Sequence, residues 1–305
     1  MKSRLLFAVS LLLFTQSGWA DVDIDGQNIG SERISEPAKR TPFSFNAHID
    51  YVAPAKINKG FFKGDKVHFA EAEAEAGMVF YYCPAYTEGA RVALGYTATR
   101  LDWSANPWFE QDHFHTVNLT LAGFSKRLDS WFWRSQLTIN FDAEEWSAPY
   151  TSYDILLWGR YTYCENIGIH LGFLAQTGLR LDRVYPLLGV DWQISRRWKL
   201  NLVYPVNVSL DYALTPRWAL ALGGRFFNSR FRIRHHDVFS KSLVRYTNTG
   251  AEFAIKYNAP QVTANIHVGV TFAGKYRVAN QNNKHAHNYN LDPAGYVGGE
   301  IEVSF

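Results

Sequence analysis

In the stretch VHFAEAEAEAGMVFYYCP, residues 67–84, small or apolar residues alternate with glutamates. An extended strand sends successive side chains to opposite faces, so Ala70, Ala72, Ala74, Ala76, Met78, Phe80 and Tyr82 share one side, while Glu71, Glu73 and Glu75 share the other. WFWRSQLTINFD repeats the pattern, with Trp131, Trp133, Leu137, Ile139 and Phe141 against Arg134, Gln136, Thr138, Asn140 and Asp142. QVTANIHVGVTFAGKYR sets Val262, Ala264, Ile266, Val268, Val270 and Phe272 against Thr263, Asn265, His267, Thr271, Lys275 and Arg277. The apolar face runs on without charge, and the polar face is too charged to be a packed core. Apolar residues outside and charged residues inside is the arrangement of a membrane barrel.

Alternation and turn signals predict strands at 43–53, 66–82, 90–102, 113–124, 131–142, 153–163, 167–182, 187–194, 198–204, 206–213, 218–233, 244–257, 261–277 and 295–305. The expectation is an all-β, transmembrane, antiparallel up-and-down β-barrel of about fourteen strands. Twelve is the alternative, if 198–204 and 206–213 do not both pair. Connections such as SKRLDS, CENI, SRR and TPR are tight, whereas PAKINKGFFKGDK, SANPWFEQD and NQNNKHAHNYNLDP are long and polar, as in a barrel with short turns at one rim and long loops at the other. A soluble sandwich would also alternate, but it would not place Trp131, Trp198 and Trp218 just after tight turns, with Tyr257 finishing a descending strand. These four are expected in an aromatic girdle. DWQISRRWKLNL and DYALTPRWALAL repeat one short hairpin, and Pro205 between them predicts a low, broken wall.

Residues 1–20 carry Lys2 and Arg4, then an apolar run and a small-residue site, and are expected to be a cleaved signal peptide. Residues 21–42 are expected to be a periplasmic tail, and 43–305 the barrel. A net charge of +3 without basic clustering argues against nucleic-acid partners, and 16% aromatic residues suit β-structure.

The export signal, the alternating strands, the Trp-led turns and the final EIEVSF together make the chain resemble bacterial outer-membrane β-barrel proteins of porin-like build. The resemblance implies an outer-membrane location and lipid contact. It also implies that Ile301, Val303 and Phe305 form the terminal signal read by the barrel assembly machinery.

The expected lumen residues are Glu71, Glu73, Glu75, Arg91, Arg134, Asp142, Arg160, Arg180, Glu252, Lys256, His267 and Lys275, with Asp154, Asp191, Asp211 and Arg225 also on polar faces. A glutamate ladder facing water would bias a pore toward cations; alternatively the acids pair with bases such as Arg91. The function expected is a channel or transporter passing small solutes through a charged lumen. A structural or adhesive surface barrel and an outer-membrane hydrolase are the alternatives. No nucleophile motif accompanies His170 or His267, so no catalytic residue is assigned. His113, His115, His235, His236, His285 and His287 cluster near loops without a fixed partner, so no metal is assigned, and no cofactor is expected. Cys83 and Cys164 end strands two and six and are expected to stay unpaired, four strand spacings apart.

Overall fold

The computed structural model describes residues 42–305 except 181, 235, 236 and 238, so the expected signal peptide and nearly all of the expected tail lie outside the described residues. The strands are β1 (Phe43–Lys56), β2 (Lys66–Cys83), β3 (Glu88–Trp103), β4 (His113–Ser125), β5 (Trp131–Asp142), β6 (Thr151–Cys164), β7 (Ile167–Gly178) and β8 (Arg183–Gln193). They continue with β9 (Trp198–Tyr204), β10 (Asn207–Ala213), β11 (Trp218–Arg232), β12 (Leu243–Asn258), β13 (Val262–Thr271), β14 (Gly274–Ala279), β15 (His287–Leu291) and β16 (Gly295–Ser304).

Each of β1 to β12 pairs antiparallel with the next, β13 pairs with β16, and β16 closes onto β1 through a register running from Ser44↔Ser304 to Val52↔Tyr296. β14 and β15 continue the lines of β13 and β16 beyond local breaks, so the closed wall has fourteen strands. Closure leaves no strand edge around the lower wall, which is what allows a sheet to cross hydrocarbon. Both short strands pair, β9 with β8 and β10 with β11, which settles the count in favour of fourteen.

The outer face is apolar: Phe45, Ile49, Leu94, Leu121, Ile155, Leu171, Leu188, Leu222, Phe253, Ile266 and Val268 all project away from the lumen and are protein-exposed. At the short-turn rim, Trp131 lies against Tyr161, Trp198 against Tyr212 and Trp218 against Tyr257, with ring centroids 4.7–5.2 Å apart. Cys83 and Cys164 are both free thiols at that rim. Among the described residues no helix is long and apolar enough to cross a membrane.

Two departures from a regular cylinder shape the interior. The first is the low wall. β9 and β10 are seven residues each, and seven residues tilted by about 40° climb only ~18 Å against an apolar band of about 25 Å. Above the β9–β10 turn, β11 has lost its β10 partner: their register ends at Val208↔Gly224, while β11 runs on to Arg232 paired with β12 alone.

The second departure follows from the first. Freed of β10, the upper β11–β12 hairpin folds into the lumen. From Arg225 to Arg232 and from Leu243 to Gly250 no residue is exposed on either face, because opposite walls cover both. Phe231 of β11 stacks on Phe114 of β4 with ring centroids 4.2 Å apart. These strands are seven steps apart around the wall, and a round fourteen-strand barrel would be about 28 Å across. The strand must therefore have moved well inward. Phe69 of β2 stacks on Tyr246 of β12 at 4.4 Å and meets Phe227 at 5.9 Å. With Val67, Leu101, Trp103, Val244, Tyr276 and Tyr296 these rings form a core filling the loop-side half of the barrel.

Candidate functional site

Below that core lies a polar cavity running along the free edge of β11, from Arg230 and Asp154 down to Glu75, Arg91 and Arg134 on the short-turn side. The strand period delivers its lining: every second residue of β2 to β5 points inward, so Glu71, Glu73 and Glu75 stand in one column beside Thr97, Thr99 and Asn118.

The ladder is partnered. Arg91 Nη2 lies 2.7 Å from Glu75 Oε1 and donates to Ser44 Oγ at 3.0 Å. Thr97 donates to Glu73 at 3.3 Å, and both Thr99 (2.9 Å) and Ser229 of the hairpin (3.2 Å) donate to Glu71. Gly77 makes the Arg91 pair fit, since a Cβ there would sit 2.5 Å from the guanidinium. Arg134 donates to Gln136 at 3.0 Å and lines the same cavity.

The other lumen residues form three clusters on the walls. Arg225 Nη1 lies 3.0 Å from Asp50 and its Nε 2.6 Å from Glu252, while His267 Nε2 lies 2.7 Å from Asp50. Gly298 stands where any Cβ would collide with that Asp50–His267 contact. Arg160 forks onto Asp191 at 2.7 and 2.8 Å, and His170 Nε2 is 2.6 Å from the same carboxylate. Lys256 pairs with Asp211 at 2.9 Å. Breaking such half-buried pairs is costly because it strands a charge.

Two sequence expectations are corrected. Lys275 does not face the lumen: the break between Thr271 and Gly274 shifts the alternation by one, so Tyr276 and Val278 turn inward and Lys275 outward. Arg180 lies beyond the end of β7 at Gly178, with a left-handed φ of 56°, in a loop where its carbonyl accepts from Asn283. Asp142 keeps the inward parity, but its carboxylate accepts the backbone N–H of Glu144 and Glu145 and so caps a loop. Asp50, His48, Arg230 and the rings of Phe69, Phe114 and Phe231 were not singled out from sequence. The parity of Asp50 and His48 with Ser44 was legible, whereas cross-lumen ring contacts have no local signature.

Two of the inward histidines, His170 and His267, are held by the wall. His170 Nδ1 accepts from Trp158 Nε1 at 3.0 Å, and its other nitrogen meets Asp191, so both ring nitrogens are occupied by the wall. His267 is likewise held between Asp50, Asn265 and Arg225. Among the described residues no group of three His, Cys, Asp or Glu converges as a metal site.

A closed antiparallel barrel with an apolar outer band, an aromatic rim and a polar interior defines the class: a porin-like transmembrane β-barrel. Residues 160–303 match a family described as Domain of unknown function (DUF6268). An uncharacterized protein of Chlamydia pneumoniae is 24% identical over 299 residues, covering 92% of this chain and 92% of its own length. An uncharacterized protein of Chlamydia trachomatis serovar D is 22% identical over 198 residues, 64% of this chain and 63% of its own. Among solved structures, an outer membrane channel from Pseudomonas putida F1 is similar with a TM-score of 0.48 and 10% identity, over 90% of this chain and 99% of that one.

Proposed function

We propose that this protein is an outer-membrane channel for small polar solutes, held shut by its own β11–β12 hairpin. The observation that carries the reading is the polar cavity inside a closed wall, capped by a hairpin attached on both faces: through Ser229 to Glu71 on one side and through Arg230 to Asp154 on the other. A merely structural barrel has no need of a charged cavity below its ring core. Passage then requires the hairpin to retract toward the wall position that the short β10 leaves vacant. The loop-side end of the hairpin is also held, by Tyr150 donating to the Ile233 carbonyl at 3.1 Å and by Arg232 donating to the Pro149 carbonyl at 2.7 Å. Burial raises the Tyr150 phenol above its usual range, which keeps its proton in place as donor.

In this reading lipids contact the outer face, the short-turn rim faces the periplasm, and Ile301, Val303 and Phe305 are the segment the barrel assembly machinery grips. Planar-bilayer recording tests the proposal. Wild-type protein should be closed for most of the record, and a variant in which a short turn replaces residues 226–249 should conduct steadily. Silence from the folded, shortened variant would remove the channel reading.

A further inference from the structure

Above the Val208↔Gly224 pair β10 is no longer alongside β11, and one edge of that strand is left to the cavity. In an antiparallel pair the residues of each strand alternate between bonding to the partner and turning their backbone groups to the opposite edge. Ile233 donates to the Ser242 carbonyl at 2.8 Å, and its own carbonyl accepts from Lys241 at 3.1 Å, so it bonds toward β12. Counting back by twos, Phe231, Ser229 and Phe227 do the same, while Phe226, Asn228 and Arg230 turn N–H and C=O to the free edge. Thr249, opposite Phe226, agrees, since its carbonyl accepts from Phe272 on its other side. All the residues from Arg225 to Phe231 line the cavity, which a cavity lying along an edge requires and one lying on a single face does not.

Side chains along this edge lack partners as well. Asn228 is 2% exposed, yet among the described residues neither its Oδ1 nor its Nδ2 has a hydrogen-bond partner. Arg230 gives Nη2 to Asp154, but its buried Nη1 has no partner. Asn118 across the cavity donates to Thr97, and its Oδ1 accepts nothing. Buried polar groups in folded proteins are satisfied, so these atoms mark where a bound molecule supplies the bonds.

A strand edge repeats one donor and one acceptor every two residues, about 6 to 7 Å apart, and what matches that repeat is another extended backbone. A carboxamide with both ends free pairs with a peptide group, donor to acceptor and acceptor to donor. A sugar ring matches the carboxamide but not the repeat. The cavity volume of about 200 Å³ admits a short segment and not a folded partner, and Leu156, Leu174 and Phe226 supply apolar lining for its side chains.

We propose that the cavity binds a short extended peptide as an added strand on the free edge of β11, with the Asn228 carboxamide reading its backbone. As the solute class of the channel this rests on the channel reading; as a binding site it does not.

Full-length protein folded in detergent micelles is titrated calorimetrically with tri-alanine, with tri-alanine methylated at both peptide nitrogens, and with maltotriose. Wild type should bind tri-alanine, and the methylated peptide, equal in charge but without its backbone donors, should bind at least about tenfold more weakly. Asn228→Leu, shown to be folded by heat-modifiable migration, should weaken tri-alanine binding by about tenfold. Should that variant not fold, the two peptides compared on wild type decide alone. Absence of tri-alanine binding, equal binding of the methylated peptide, binding of maltotriose alone, or unchanged binding by folded Asn228→Leu overturns the proposal. Peptide binding together with silence from the hairpin-shortened variant supports the site and removes only the channel reading, whereas conduction without peptide binding removes the site alone.

Discussion

Replacing Phe231 by alanine tests whether the hairpin is a gate. Phe231 is half-buried and stacked on Phe114 at 4.2 Å across the lumen. Half the burial of a phenyl ring is worth about 1–1.5 kcal/mol, and the aromatic pair adds about 0.5–1.5 kcal/mol. The closed state should therefore lose about 2 kcal/mol. In the open wall position the Phe231 ring has no partner to lose, so nearly all of the loss falls on closure. At 1.4 kcal/mol per decade the open-to-closed ratio should rise ~30-fold. Single-channel recording reads that ratio, with heat-modifiable gel migration confirming that the barrel is intact. Phe114→Ala should act similarly, and the double variant should fall short of additivity by about the pair energy. If Phe231→Ala folds and opens no more often than wild type, the ring contact does not hold a gate.

Arg225→Gln leaves Asp50 and Glu252 facing each other without their shared cation, and should cost about 3–5 kcal/mol in urea unfolding from vesicles; an unchanged midpoint would refute the network's structural role. In the hairpin-shortened background, changing Glu71, Glu73 and Glu75 together to Gln should shift the reversal potential toward anions at low salt, as Arg91 is released from Glu75. Identical reversal potentials would show the column does not face the permeation path. Cys164 is exposed and free, so it should react with a maleimide without prior reduction; protection until a reductant is added would indicate a bridge.

Strand identity and facing were legible because they are local. A period of two needs only neighbouring residues, so Glu71, Glu73 and Glu75 could be placed on one face and β9 and β10 recognised as short from the chain alone. The even strand count followed from the alternation of tight turns and long loops. The low wall at Pro205 was equally legible, since the repeat on either side is too short to climb the band. Lys275 fails for the same local reason that the others succeed: one irregular step between Thr271 and Gly274 reverses the side chains of β14, and no residue there announces it. What only the tertiary structure decided is which distant strands meet. The inward fold of β11–β12 depends on the partner that β10 does not provide and on rings such as Phe69 and Phe114 from the far wall. The alignments Arg230↔Arg245 and Arg245↔Arg277 likewise arise only from the registers of three neighbouring strands. Alternation specifies a face, but register and curvature arise from the closed wall as a whole.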